Sequence, residues 1–509
     1  MNKSWTRMVL AAVGLALAAG FSWANNLSIT NVRVRGRDAS TAIVRFDISW
    51  ENSWRYASEG DPLYFHDAAW VFFKVLPDGQ TAWQHVMLEG TGTNPPGFAV
   101  GSGTPIEIVV PPDRVGMLVR RAGDGAGVTS VQNVEAVWNF ASNGLAKSDM
   151  VKLQAFGVEM VYVAEGPFMV GDGASTGIAG HFEAGTSGAP FAITNQAYAI
   201  TLGGGAEEWR LGNHNGSGMY QSVEDFNYVT SQTLPAAFPK GYAAFYCMKY
   251  EITEGQWVDF FNTLTDNQKT TRDFTSSAGG GKNSDGVVSR NTVAWTHGDA
   301  TTARPDRACS YLSWADLCAF ADWAGLRPMT ELEFEKACRG PLTPVAGEYA
   351  WGSATIMTAT RVISGVEDGT ETITSDTSAG GCNYGGTAHT GGDGGVGPLR
   401  AGIFATNGAI RASAGASYWG IMELSGNLLE RTVSVGNATS RQFDGQHGDG
   451  KLTATGDANV SNWPNWSGLR GGSFSSYHIT NTRVSDRLLA AYSHPRDASI
   501  GGRAVRTAP

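Results

Sequence analysis

Between residue 26 and about residue 148 apolar positions recur every second residue in short runs, at 27–34, 42–50, 69–76, 82–88, 106–110, 115–119 and 134–140. Val44, Phe46 and Ile48 alternate with Arg45 and Asp47, the period of a strand with one face buried. Gly, Pro, Asp and Asn punctuate the runs. About seven such strands predict an all-β sandwich over 25–148. Its aromatics, among them Trp50, Trp54, Trp70, Phe72 and Trp83, suit either a sugar-stacking face or a packed interior, and strand aromatics favour the interior.

Beyond residue 150 the pattern changes. Strands are expected at 160–163 and 168–170, followed by a Gly, Ser and Asn-rich insertion at about 171–240 that reads as loops. Thr253 and Gln256 then form a capping box, and Trp257, Phe260, Phe261 and Leu264 repeat at helical spacing. A second insertion, read as loop, covers about 266–305. Ser313 starts a helix that stops at Gly325, and Thr330 with Glu333 starts another that stops at Gly340 before Pro341. No fixed-period repeat points to a solenoid or propeller. The expected fold class is therefore multidomain: an all-β sandwich followed by an α+β, loop-rich domain over 150–509.

Composition refines this picture. Lys3 and Arg7, the apolar run 8–21 and Ser22-Trp23-Ala24 read as a secretory signal over 1–24, since 14 apolar residues fall short of the ~20 that span a bilayer. Its removal leaves 35 basic against 47 acidic residues, taking the net charge from -10 to -12. That balance argues against nucleic acid as a partner. No later stretch is long and apolar enough to cross a membrane, so the expected location is exported: periplasm, cell surface or extracellular space. Cys247, Cys309, Cys318, Cys338 and Cys382 are odd in number and form no CxxC, and buried thiols are expected over a disulfide framework.

Six stretches carry a family likeness: MVYVAEGPFMVGD at 160–172, YCMKYEITEGQWVDFF at 246–261, SWADLCAFADWAGLRPMTELEFEKACRG at 313–340, GIMELSGNLLE at 420–430, LRGGSF at 469–474 and GGRAVR at 501–506. In this order they resemble the formylglycine-generating enzyme, or sulfatase-modifying factor, domain. The resemblance implies a C-type-lectin-like α+β fold with two main helices and much ordered loop. It also implies a copper-binding cysteine pair shortly after the Gly-Gly-Ser turn, where soft thiolates hold Cu(I) for oxygen-dependent oxidation of a substrate cysteine. Ser476 and Asn481 stand at those positions, so copper and formylglycine generation are not expected. A branch of the superfamily uses a three-histidine iron site, which nine scattered histidines without an HxxxH pair do not match.

Calcium is the cofactor the resemblance favours, through hard oxygen ligands. One implied site takes Glu423 and Glu430 with the carbonyls of Gly426 and Leu428, and the other takes Asn383 and Asp393; both sets also suit plain turn formation. The family's aromatics are replaced by Leu429 and Gly502, which loosens the presumed groove.

The closing stretch 469–506 is polar, poor in aliphatic residues, and reads as a surface carried by the preceding scaffold. Two functions follow. The first is an exported, non-catalytic binding or structural protein whose ligand, a protein, peptide or glycan, meets Ser473, Ser476, Tyr477, His478, Asn481, Arg487 and His494. The second is a metal-dependent oxidoreductase with a non-standard site, for which Arg487, His478, Asp486 and His494 are the nearby candidates.

Overall fold

Runs of β-branched and aromatic residues build three long N-terminal strands, β1 (Ser28–Gly36), β2 (Thr41–Ser58) and β3 (Asp61–Pro77), followed by β4 (Ile106–Val110), β5 (Met117–Arg121) and β6 (Gly125–Asn139). The structure, a computed structural model, describes residues 26–509 apart from 59–60, 174–176, 215–218, 220–223, 407 and 477–478, with the backbone of 8–9 and 20–21. The expected export signal therefore lies almost wholly outside the described residues.

Strand β2 pairs with β1 and β6, while β3 pairs with β5 and with β7 (Met150–Val163). The expected strand at 160–163 is thus only the end of a 14-residue one. Most of it lies along β3, from Val151 opposite Pro77 to Val161 opposite Asp67. Its last residues pair with β14, defined below, so the sheet runs unbroken across the expected domain boundary.

The physical reason is visible in β3. Ala69, Val71, Phe73 and Val75 point into an N-terminal core with Phe46, Trp50 and Trp138, whereas Ala68, Trp70 and Phe72 point into the main core of the C-terminal part. Both faces are buried, which explains a continuous apolar run rather than strict alternation. The expected strand at 82–88 shrinks to a two-residue pairing at Gln84–His85. Trp50, Trp70 and Phe72 are fully buried; Trp54 and Trp83 are only half-buried.

Next come β8 (Phe168–Val170), β9 (Phe182–Ala184), β10 (Phe191–Ile193), β11 (Ile200–Gly203), β12 (Leu211–Asn213), β13 (Ser231–Leu234) and β14 (Phe245–Met248). The segment 171–240, expected to be loop, therefore contains five short strands; their three- and four-residue lengths give no readable period. Four of them, in the order β9, β12, β11, β13, form a small sheet of their own.

Helix α1 (Glu254–Phe261) begins at the Thr253 capping box, and α2 (Asp266–Arg272) follows where loop was expected. Asp-Asn-Gln-Lys-Thr-Thr-Arg has no apolar stripe, so the 3.6-residue period cannot reveal it. Helices α3 (Trp314–Trp323) and α4 (Glu331–Arg339) carry the expected caps, with the Ser313 hydroxyl accepting from the Asp316 amide at 3.1 Å and Thr330 from the Glu333 amide at 3.2 Å. Between them β15 (Arg327–Pro328) joins the sheet through β19. Strands β16 (Leu429–Thr432), β17 (Gly468–Arg470) and β18 (Ile500–Gly501) form a three-stranded unit, and β19 (Ala504–Thr507) closes against β14. The chain is mostly β with few helices.

All five cysteines are buried and unbridged. Burial pushes the thiols of Cys247 and Cys382 up to about 12. No helix among the described residues is long and apolar enough to cross a membrane.

Candidate ligand cavity

The Gly-Gly-Ser turn follows β17 because its backbone demands glycine. Gly471 and Gly472 have φ of 85° and 67°, and a Cβ on Gly472 would sit 2.8 Å from the Asn481 carbonyl oxygen. The Gly471 carbonyl accepts from the Gly426 amide at 2.8 Å, and the Phe474 amide donates to the Asn427 carbonyl at 2.8 Å. The 423–430 turn and the serine turn are thereby locked together.

Against them lies a cavity of about 230 Å³ whose wall includes Ser473, Ser475, Ser476, Asn481, Asp486 and Leu429. Its serines are organised by each other: the Ser473 amide donates to Ser476 Oγ at 2.9 Å, and the Ser473 and Ser475 hydroxyls are 3.0 Å apart. Asn481 sits in a 3₁₀ turn, Ile479–Thr482, and hydrogen-bonds the Asp486 carboxyl. Burial pushes that carboxyl up to about 7, against the Leu488 amide and the charge of Arg470. The cavity therefore offers hydroxyls, one carboxamide and one carboxyl able to hold or release a proton near neutrality.

Three of the expected ligand-surface residues, Ser473, Ser476 and Asn481, converge here. Tyr477 and His478 lie outside the described residues. Arg487 is a correction: it is fully buried and faces no ligand. Its guanidinium donates to Glu331 at 3.1 and 3.0 Å, to the Gly180 carbonyl at 2.8 Å, and to Glu224, and it lies 3.9 Å from the Phe182 ring centre. Arg487 thus straps the 171–240 segment to α4. Much of the closing stretch departs from a solvent surface in the same way, because its polar groups find buried partners: Arg496 forks onto Asp316 at 2.7 and 2.9 Å, and Arg470 reaches Glu335 at 2.8 Å. His494 is apart from the cavity, half-buried, with its ring edge-on to Tyr492 at 5.2 Å.

Two of the carboxylates implied as calcium ligands are held by arginines. Glu430 is held by Arg503 through contacts of 2.7 to 2.9 Å, and Asp393 by a fork from Arg304 at 2.7 Å with Arg307 at 2.8 Å. The Arg304 hydrogen bonds hold the Asp393 carboxyl well below its usual range. Guanidinium groups thus already neutralise Glu430 and Asp393. Asn383 donates its side-chain N–H groups to the Gly397 carbonyl at 3.1 Å and to Asn427 Oδ1 at 3.0 Å, while its own Oδ1 has no protein partner. Glu423 accepts from the Gly402 amide at 2.8 Å while its other oxygen has no protein partner, and burial raises it to about 7. Among the described residues no group of three His, Cys, Asp or Glu is placed to hold a metal.

Leu429 lines the cavity where the family carries an aromatic, and a Cβ at Gly502 would meet Leu317 at 3.2 Å, leaving little room for a ring. Sequence reasoning missed Arg470 and Leu489 as part of the wall. The pairing of β16 with β17 brings Arg470 there, and the Leu469 amide, donating to the Leu489 carbonyl at 3.0 Å, holds Leu489 beside it.

A family model described as the sulfatase-modifying factor enzyme 1-like domain matches residues 149–508. Among curated relatives, a formylglycine-generating enzyme of Streptomyces coelicolor is 47% identical over 51 residues, 10% of this chain and 16% of the relative. That of Thermomonospora curvata is 43% identical over 56 residues, 11% and 18%. That of Bos taurus is 30% identical over 131 residues, 22% and 34%. The chain thus spans about a third or less of the length of these relatives. Among solved structures, the Major Tropism Determinant U1 Variant aligns over 81% of this chain and 82% of its own at 15% identity, with a TM-score of 0.23. On the family match over most of its length, the chain belongs to the sulfatase-modifying factor, or formylglycine-generating enzyme, family.

Proposed function

We propose that this protein is an exported, non-catalytic binding protein that uses the serine-lined cavity to hold part of a peptide or glycan ligand. One observation carries the reading: Ser476 and Asn481, where the family resemblance implies a thiol pair, both stand in the wall of that cavity, and every cysteine is buried elsewhere. Hydroxyl and carboxamide groups are hard, neutral donors and acceptors, suited to hydrogen-bonding a ligand and not to holding Cu(I). Export is supported by the Lys3, Arg7 and 8–21 pattern.

The test uses the secreted full chain on peptide and glycan arrays, together with elemental analysis and incubation with a cysteine-containing peptide, copper and oxygen. Saturable binding that Asn481→Ala weakens at least fivefold, with no aldehyde formed on the peptide, is the expected outcome. Aldehyde formation, or copper or iron bound at one equivalent, would replace the proposal with the oxidoreductase reading, in which Asp486 is the proton-transferring group.

A further inference from the structure

Where the N-terminal strands join the C-terminal part, three buried ionisable side chains converge from neighbouring strands. Asp67 lies on β3, Glu159 on β7, and Lys249 directly after β14. Asp67 stands opposite Val161, two residues along β7 from Glu159, and the Lys249 amide donates to the Glu159 carbonyl at 2.9 Å. Residues two apart in a strand share a face, so this register puts all three side chains on one side of the sheet. None is more than 3% exposed.

Their geometry brings an amine, an acid and a base together. Lys249 Nζ is 3.1 Å from Glu159 Oε2 and 3.7 Å from Asp67 Oδ2, with the Trp54 ring centre 4.8 Å away. Asp67 Oδ1 accepts from the Ser53 hydroxyl at 2.8 Å and from the Trp54 amide at 3.0 Å, while Oδ2 accepts from Trp50 Nε1 at 3.0 Å. Two carboxylates and one ammonium would carry a net negative charge, which a dry environment disfavours. Burial accordingly raises the Asp67 carboxyl above its ordinary range, towards the neutral acid. Burial works against the Lys249 charge, but Tyr250, Glu159 and Asp67 hold the ammonium above its ordinary range, so its proton leaves only to an adjacent base. Glu159 is in contact to take it.

We propose that Lys249 and Asp67 condense into an intramolecular isopeptide bond, with Glu159 relaying the protons and the Ser53 hydroxyl and Trp54 amide forming the oxyanion site. Glu159 takes a proton from the Lys249 ammonium, and the freed amine attacks Cγ of the Asp67 acid. The charge that develops on Oδ1 meets the two donors already aimed at it. Glu159 passes its proton to the Oδ2 hydroxyl, the Cγ–Oδ2 bond breaks, water leaves, and the second proton lost by nitrogen returns to Glu159. The products are a neutral amide, water and a neutral Glu159, so no charge remains buried. The bond ties β3 to the end of β14 across β7, a covalent link between the N-terminal strands and the C-terminal part of a chain whose cysteines are all unbridged.

The test digests the purified full chain with two proteases of different specificity and maps the fragments by tandem mass spectrometry. The expected result is a branched fragment joining the Asp67 and Lys249 peptides, lighter than their sum by one water, in place of most of the two linear peptides. Glu159→Gln keeps the lysine and the acid but removes the relay, and its yield of the branched fragment is expected to fall at least tenfold. Linear peptides alone from the folded wild-type chain, with or without loss of water, overturn the proposal whether or not Glu159→Gln folds. A branched fragment at undiminished yield in folded Glu159→Gln overturns it as well.

Discussion

Asp486 shows how one side chain can set a pH dependence. Its carboxyl is ordinary in the unfolded chain and sits at about 7 in the fold because burial disfavours the charge. The folded state therefore binds the proton more tightly, so the group costs stability progressively as pH rises from about 4 to 7 and by a constant amount above. Asp486→Asn is expected to raise stability at pH 8 by about 2 kcal/mol and to have little effect at pH 3.5, a difference read by urea unfolding at the two values. An equal effect at both would place the carboxyl in water. Arg487 makes the opposite point. Replacing it by Met leaves the Glu224 carboxylate buried without its cation and Glu331 with Arg470 alone, and a loss of about 3–5 kcal/mol is expected in the same measurement. Ser476 and Asn481 could be picked out from their distance to the Gly-Gly-Ser turn. The burial of Arg487 could not, because its partners lie 156 and 263 residues away in sequence.

At the scale of elements, what was legible depended on how local the cause is. The caps of α1, α3 and α4 join residues three apart, so Thr253 with Gln256, Ser313 with Asp316 and Thr330 with Glu333 announce them directly. Ser313→Ala is expected to cost about 1 kcal/mol, measured by thermal unfolding. Asp316→Ala should cost several-fold more, since the same carboxylate also receives Arg272 and Arg496, and equal losses would mean that those pairs contribute nothing. Helix α2 and the five strands of 171–240 escaped the reading because the helix is polar throughout and the strands are only three or four residues long, so neither has a period of its own. They are held by what they touch, as Arg487 holds the Phe182 strand and as the Thr265 amide donates to Gln268 at the start of α2.

For the whole molecule, the decisive element is the pair β3 and β7, whose two faces serve two cores. Trp70 illustrates the coupling: it comes from the N-terminal strands, donates to the Ala324 carbonyl at 2.8 Å, and lies 4.2 Å beneath the Arg506 guanidinium. Trp70→Ala is expected to cost about 3–5 kcal/mol and to lower a single calorimetric transition for the entire chain. Two transitions, with only one shifted, would instead mean independently folding halves. The amino-acid sequence by itself determined the β character of the first 150 residues, the capped helices, the family landmarks and the replacement of the thiol pair, because each is written in neighbouring residues or in spacing. Only the tertiary structure decided that the sheet is continuous across the expected boundary, that Glu430 and Asp393 are taken by arginines, and which polar residues of the closing stretch line a cavity. Those outcomes depend on which distant charges and faces meet, and no local pattern carries that information.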